Sequence, residues 1–407
     1  MTSSIVEQVG LLMKGTEYGD VKLRDGMAAE LTERLSEARE EGRALRVYCG
    51  FDPRTADLHL GHTVPIGKLR QFQQLGHEVF FVVGTGTALI GDPSDKTGLR
   101  SMLGPEEAVA NGRTYAEQAF RLLDREKTRV LFNHEWIAEL TFQRLVGLAS
   151  LFSLQQLLAR ENFRLRWRRG DAVYLHETFY PLMQGFDAFH LKADVQVGGT
   201  DQLYNIVTAS RKIMEALGAR PNVAVITGIL PGTDGKLKMS KSLGNHIPIL
   251  SSPEDMYGKV MSIPDDAMRR YFELLTDFAP SRIEGIFTRI AEGKTNPRDA
   301  KTMLARDVVA LLHSPVAAAR AEEEFARVFR RSGVPSDAAV LVIRGPRTVV
   351  ELLFEGGIAG TKSEARRLVA GRGVRWEGAT VLDPGQRIST GGTLRAGKRR
   401  ALRIVRE

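Results

Sequence analysis

Two short stretches of the chain carry residue types suited to a phosphorylated substrate. His59-Leu60-Gly61-His62 sits at the turn between an apolar strand and a helix, and Lys238-Met239-Ser240-Lys241-Ser242 sits in a loop after Asp234-Gly235. Helix N-termini present unpaired N–H groups and a partial positive charge, so they bind phosphate. Two histidines three residues apart can both donate to phosphoryl oxygens, and Gly61 lets a flat or charged ligand approach the backbone. Two lysines on a loop can neutralise charge developing on a leaving pyrophosphate. The plainer alternatives are a helix cap with two surface histidines, and an exposed cationic loop. A metal pair is disfavoured, because this histidine spacing needs further ligands. The glycine pattern ending in Gly-Lys-Ser that marks a P-loop is absent.

The elements around these residues read as follows. Glu30–Gly42 is helical, and Leu45–Phe51 is a buried strand ending at Asp52-Pro53. A helix from His62 stops at Gly76-His77, and Glu78–Gly84 is a second apolar strand. This is a βαβ unit, and strands so uniformly apolar belong to a parallel sheet covered on both faces. Pro105–Asp124 and Thr141–Asn162 read as helical, Ala193–Val197 as a strand, Gln202–Ala216 as a helix and Asn222–Ile229 as a strand. Beyond Ser252 come five helical segments, each opened by Pro or an acidic residue: 253–261, 266–275, 280–291, 297–312 and 315–330. Arg331–Arg347 looks like a linker. The expected division is 1–249 for a Rossmann-type catalytic domain, 250–332 for a helical domain and 341–407 for a small basic α+β module.

Composition narrows the class. The 407 residues are 43% hydrophobic and 26% charged, as in an ordinary globular protein. The formal net charge is +8, and all of it resides in residues 341–407, which hold 14 basic and 6 acidic residues. A neutral body with a cationic end implies a polyanionic partner there, or merely a solvated basic face. Cys49 is the single cysteine, which excludes an intrachain disulfide and a cysteine-built zinc cage. No apolar run approaches the roughly 20 residues needed to span a bilayer. Met1–Gly10 lacks a basic flank followed by a long apolar core, so a cytoplasmic protein is expected.

His-x-Gly-His after the first strand, followed far along the chain by Lys-Met-Ser-Lys-Ser, resembles the class I aminoacyl-tRNA synthetases. Tyr48-Cys49-Gly50-Phe51-Asp52-Pro53, Ile90-Gly91-Asp92-Pro93-Ser94, the Tyr180/Gln184/Asp187 set on one helix face, and Gly198-Gly199-Thr200-Asp201-Gln202 are similar to the tyrosine-specific group. The resemblance implies ATP activation of L-tyrosine, then transfer to the 3′ end of tRNA(Tyr). Tyr48 and Asp187 would hydrogen-bond the substrate phenol. Tyr180, Asp92 and Gln184 would take the α-ammonium group, and Gln202 would lie near the carboxylate. The ATP site would take in Cys49, Gly50, Asp52, His59, Gly61, His62, Gly199 and Asp201. The loop Lys238, Met239, Ser240, Lys241 and Ser242 would complete it. His59, His62, Lys238 and Lys241 would act on the phosphates, and Lys96 and Arg100 would close over the pyrophosphate. Mg2+ would accompany ATP without a dedicated protein site.

The intact lysine loop is similar to one bacterial branch, although the Tyr-Cys-Gly-Phe strand is shared with the other. Arg54 stands where one branch has threonine, which leaves the parts of Arg54 and Thr55 open. The basic end, with Thr361–Val369 as a helix, Gly373–Gly378 as a turn and Arg395–Arg406 as a strand, resembles an S-four-type RNA-binding domain. Trp376 there is either core or base-stacking. A homodimer is implied, with Thr141–Leu158 near its interface. The rivals are a tryptophan-specific synthetase, a small-molecule nucleotidyltransferase and a non-catalytic RNA-binding descendant. The Tyr48/Asp187 pair, the basic module and the intact lysine loop weigh against them in turn.

Overall fold

The computed structural model describes residues 3–53, 57–93, 104–158, 160–330, 339–397 and 400–406. The chain forms two compact units, Met1–Ser314 and Pro315–Glu407. Lys96, Arg100, Arg54 and Thr55 lie outside the described residues.

The first unit is built on five strands: β1 (Arg46–Phe51), β2 (Glu78–Val83), β3 (Thr128–Phe132), β4 (Val195–Gly199) and β5 (Val223–Thr227). They lie in the order β3-β2-β1-β4-β5, all parallel. β-branched and aromatic side chains on β1, β2, β4 and β5 are almost wholly buried, as a sheet covered on both faces requires. In this order the chain reverses direction of travel across the sheet between β1 and β4, and ligands of such folds bind outside the strand C-termini at that crevice. β3 was not expected from sequence. It is a half-exposed edge strand just after the charged turn Arg125–Lys127, so it lacks a continuous apolar run.

Several boundaries also differ from expectation. The helix after β1, α1 (Leu60–Gln74), starts at Leu60 because His59 caps it. Thr141–Asn162 is broken into Phe142–Ala149 and Leu154–Leu158, with Glu161–Arg169 following. After β4 the chain makes a short 3₁₀ turn, then a π-helical stretch Tyr204–Ser210, and only then the α-helix Arg211–Ala216. The helix α2 (Tyr180–His190) carries Tyr180, Gln184 and Asp187.

The helices Pro253–Met261, Asp265–Leu275, Pro280–Ala291 and Pro297–Leu312 belong to the same compact unit as the sheet. Arg270 pairs with Glu17, and the Tyr271 hydroxyl donates to the Pro231 carbonyl at 2.8 Å. Lys14 Nζ donates to the Thr276 and Phe278 carbonyls at 2.5 and 2.6 Å, which closes the C-terminal end of Asp265–Leu275.

The second unit opens with the helix Pro315–Arg330. Its strands are β6 (Ala339–Ile343), β7 (Arg347–Thr348), β8 (Val374–Trp376), β9 (Ala379–Thr380), β10 (Arg387–Ile388), β11 (Gly392–Ala396) and β12 (Arg400–Arg406). Five form a sheet ordered β6-β12-β11-β8-β9, while β7 pairs with β10. The helices Val349–Glu355 and Lys362–Ala370 bury Val349, Leu352, Leu353, Ala365 and Val369 in one core with Leu394 and Leu402. The expected linker thus contains a strand, β6, paired in parallel with β12. The expected single strand Arg395–Arg406 is instead the end of a hairpin, reversing near Gly397, whose φ of +65° suits glycine. Trp376 packs against the apolar core.

Candidate active site

The C-terminal ends of β1 and β4 bring the first group of candidate residues together. β1 delivers Tyr48, Cys49 and Gly50, and its extension carries Asp52. β4 ends in Gly198-Gly199, followed by Asp201 and Gln202. α1 starts beside them.

His59 caps α1 with its ring. Its Nδ1 accepts from the Gly61 N–H at 3.1 Å, and the His59 N–H donates to His62 Nδ1 at 3.1 Å. Each Nδ1 is therefore an acceptor, which leaves Nε2 as the N–H donor of both rings. The ring centroids lie 4.0 Å apart. Burial first, then His62, His246, Lys238 and Lys241, push the His59 pKa down to about 2, so it remains a neutral donor at any working pH. Gly61 is needed for a reason the sequence did not show. A Cβ there would stand 2.9 Å from His59 Cε1 and 3.0 Å from Nδ1, so any side chain would drive the capping ring away.

The lysine loop is held against this turn by the backbone. Leu60 N donates to Ile247 O and Ile249 N to Leu58 O, each at 3.0 Å, so residues 58–60 run beside the limb that leaves the loop. The limb that enters is fixed by Met239 N to Leu230 O at 3.1 Å, and Met239 is buried. Asn245 closes the loop from within. Its Oδ1 accepts from Ser240 N at 2.8 Å, and its Nδ2 donates to Asp234. Lys238 Nζ reaches Asp201 Oδ2 at 3.0 Å, Lys241 Nζ reaches Asp57 Oδ2 at 2.8 Å, and the Ser240 and Ser242 hydroxyls are 2.9 Å apart.

The second group lines the side of the crevice toward β2 and α2. Asp187 is buried, and its carboxylate accepts from Trp136 Nε1 at 2.7 Å and from Asn133 Nδ2 at 3.1 Å. Burial raises its pKa to about 7, against the opposing pull of those two donors. The Tyr48 hydroxyl donates to the Gln184 carbonyl at 3.2 Å, and burial raises its pKa well above the ordinary value. The Gln184 side-chain oxygen is buried without a hydrogen-bond partner. Tyr180 donates to Asp52 Oδ2 at 3.2 Å, Thr87 donates to Asp52 Oδ1 at 2.8 Å, and Gln202 Nε2 donates to Asp92 Oδ2 at 2.5 Å. Asn133 also donates to Thr87 Oγ1 at 3.3 Å. One chain of hydrogen bonds thus runs from Asp187 through Asn133, Thr87 and Asp52 to Tyr180. Cys49 is buried and its thiol pKa is raised, chiefly by burial and then by Asp201, so it is no nucleophile.

Asn133, Trp136, Thr87 and Asn245 were not singled out in the sequence. The first two follow β3, so the unexpected strand concealed the turn that delivers them. Arg160 is a fifth addition: it lies over the Tyr204 ring at 5.0 Å and feels the Asp92 charge. Among the described residues, no group of three or more His, Cys, Asp or Glu side chains could hold a metal ion. No helix among them is long and apolar enough to cross a membrane.

Residues 40–330 match the family described as tRNA synthetases class I (W and Y). A curated relative from Moorella thermoacetica, named tyrosine–tRNA ligase, is 43% identical over 407 residues, covering 99% of this chain and 97% of its own. A relative of the same name from Thermotoga maritima is 43% identical over 374 residues, covering 91% and 93%. Among solved structures, a tyrosyl-tRNA synthetase from Archaeoglobus fulgidus complexed with L-tyrosine superimposes with a TM-score of 0.61 at 23% identity. That match covers 78% of this chain and all of the other, and it shows the shared fold.

Proposed function

Because the chain belongs to the class I tRNA synthetases, in their tyrosine–tRNA ligase group, we infer that this crevice joins L-tyrosine to ATP and then to tRNA(Tyr). The observation that carries the tyrosine assignment is the buried Asp187 carboxylate, held by two side-chain donors on the same side of the crevice as the Tyr48 hydroxyl. An ionised carboxylate has acceptor sites beyond the two that Trp136 and Asn133 occupy, and a phenol O–H fits one. Phenylalanine would leave that desolvated site unpaired. Unpaired buried polar groups discriminate strongly, a principle for which tyrosine-specific synthetases are themselves the standard example.

In this proposal the unpaired Gln184 oxygen accepts from the α-ammonium group, alongside Tyr180 and Asp92, and Gln202 lies near the carboxylate. The tyrosine carboxylate oxygen attacks the α-phosphorus of ATP. The new oxygen–phosphorus bond forms as the bond to pyrophosphate breaks, giving tyrosyl-adenylate. His59 and His62 donate through Nε2 to phosphoryl oxygens. Lys238 and Lys241 stabilise the charge that collects on pyrophosphate, joined by Lys96 and Arg100, which follow Asp92 in the sequence. Asp201, with Cys49, Gly50 and Gly199 close by, binds the ribose. Mg2+ would accompany ATP and add positive charge to that of the lysines, without a dedicated protein site. A terminal tRNA hydroxyl then attacks the tyrosyl carbonyl and releases AMP. No protein nucleophile is needed, because positioning and charge stabilisation supply the rate.

We assign chemistry to residues 1–249, tRNA contact to 250–332, and RNA binding to the basic S-four-type module 341–407. Its exposed Arg366, Arg367, Arg372 and Arg375 support this. A homodimer is supported by large apolar side chains left exposed within residues 142–175: Phe142 at 82%, Leu154 at 56% and Leu175 at 69%. A cytoplasmic location follows from a role in translation. The test is tyrosine-dependent exchange of label between pyrophosphate and ATP. Exchange that ignores tyrosine would refute the proposal.

A further inference from the structure

Both loop lysines are engaged by carboxylates. Asp201 already has a part in the proposed function, as the ribose partner. Asp57 has none, yet its Oδ2 holds Lys241 Nζ at 2.8 Å. Asp57 also stands immediately before the 58–60 segment that pairs with the limb leaving the loop, so backbone bonds set its distance from the loop. Both limbs of the loop are fixed by main-chain bonds and by Asn245. The tip is a turn closed by Gly244 N to Lys241 O at 3.0 Å, with Gly244 at a φ of +66°. From this frame the two lysine side chains reach out to Asp201 and Asp57.

A single ammonium group cannot fully neutralise both Asp57 and a departing pyrophosphate. We propose that Asp57 is the resting partner of Lys241, a positioning residue that holds this cation ready and yields it to the phosphates. ATP binding then becomes an exchange of partners at two places. Ribose hydroxyls take the Asp201 oxygens and release Lys238, while phosphate oxygens draw Lys241 from Asp57. The inference rests on the proposed pyrophosphate chemistry. It adds a residue outside the substrate contacts that sets how tightly the loop grips pyrophosphate.

The Lys241–Asp57 pair is partly exposed, with side chains 35% and 45% accessible. Solvent-screened pairs of this kind correspond to about 1.4- to 5-fold in an equilibrium constant. Asp57→Asn in the full chain should therefore lower KM for pyrophosphate in the exchange reaction by about that factor. The KM for tyrosine should stay unchanged, because the carboxylate opposes phosphate binding and does nothing for the amino acid. Asp57→Glu should restore the original value. High salt should erase the difference, because exposed charges are screened. In a Lys241→Ala background the same substitution should have no effect, as a double-mutant cycle requires. An unchanged or higher KM for pyrophosphate, or an equal effect without Lys241, would overturn the proposal. Limited trypsin cleavage of the ligand-free loop gives an independent readout. Cleavage after Lys241 should be faster in Asp57→Asn than in the original chain, and equal rates would count against the resting contact. If the original protein shows no pyrophosphate exchange, the function assignment fails, while the cleavage result still decides whether Asp57 restrains the loop.

Discussion

Replacing Trp136 with phenylalanine isolates a contact on which the proposed tyrosine recognition depends. The ring stacks on His190 with centroids 4.6 Å apart and planes 12° from parallel, and phenylalanine keeps an aromatic surface there. What disappears is the indole N–H that meets Asp187 Oδ1 at 2.7 Å. Both residues are buried, so water cannot replace the donor. A hydrogen bond to a buried charged group contributes about 1.5–3 kcal/mol, which corresponds to roughly 10- to 150-fold. The KM for tyrosine should rise within that range at pH 7, while the KM for ATP stays put. The pH profile adds a second signature. Burial raises the Asp187 pKa to about 7, and the Trp136 and Asn133 hydrogen bonds hold it from rising further. The ionised carboxylate is the form that accepts the phenol O–H, so tyrosine binding should strengthen as pH rises through about 7. Without the indole donor that midpoint should move upward. For stability the sign is opposite. An aspartate with a raised native pKa contributes fully below its unfolded value, and that contribution is lost as pH rises through the native one. The assay is steady-state pyrophosphate exchange from pH 6 to 9. A tyrosine KM that ignores both the substitution and the pH would refute the argument, as would an equal rise in the ATP KM.

Three further outcomes are expected. Lys241→Ala should slow exchange far more than it weakens tyrosine binding, read by single-turnover rate against equilibrium titration; equal losses would mean that the loop positions substrate. Gly61→Ala should displace the His59 ring, lowering the exchange rate by about 100-fold and stability by about 1 kcal/mol through loss of the cap. A thermal melt beside the rate assay checks both. A chain ending at Gly333 should keep adenylate formation and lose most tRNA charging, and normal charging would reduce the basic module to a solubility device.

Much of the fold was legible because its signals are local. Val79–Val83 is a buried strand by composition, and Pro253, Pro280, Pro297 and Pro315 mark helix starts that the structure shows at those residues. β3 was not legible, since a half-exposed edge strand has no apolar run to announce it. Gln202–Ala216 has helical composition, yet the chain spends Tyr204–Ser210 in a wider π-helical turn. Nothing in local periodicity reports that choice. The candidate site divides in the same way. His59, Gly61 and Lys241 are visible as short motifs. Asn133 and Trp136 act on Asp187 from half a hundred residues away, and only the parallel register of β2 and β3 places them there. The role of Gly61 also changed. The sequence suggested room for a ligand, while the structure shows room for the His59 ring.

Exchange of labelled pyrophosphate into ATP, run side by side with tyrosine, phenylalanine and tryptophan, tests the central claim most directly. The geometry around Asp187 and Tyr48 predicts rapid exchange with tyrosine and far slower exchange with the two amino acids that lack a phenol. Exchange supported as well by phenylalanine would show that the buried carboxylate does not read the hydroxyl. Exchange with tryptophan alone would assign the crevice to the other amino acid of its family.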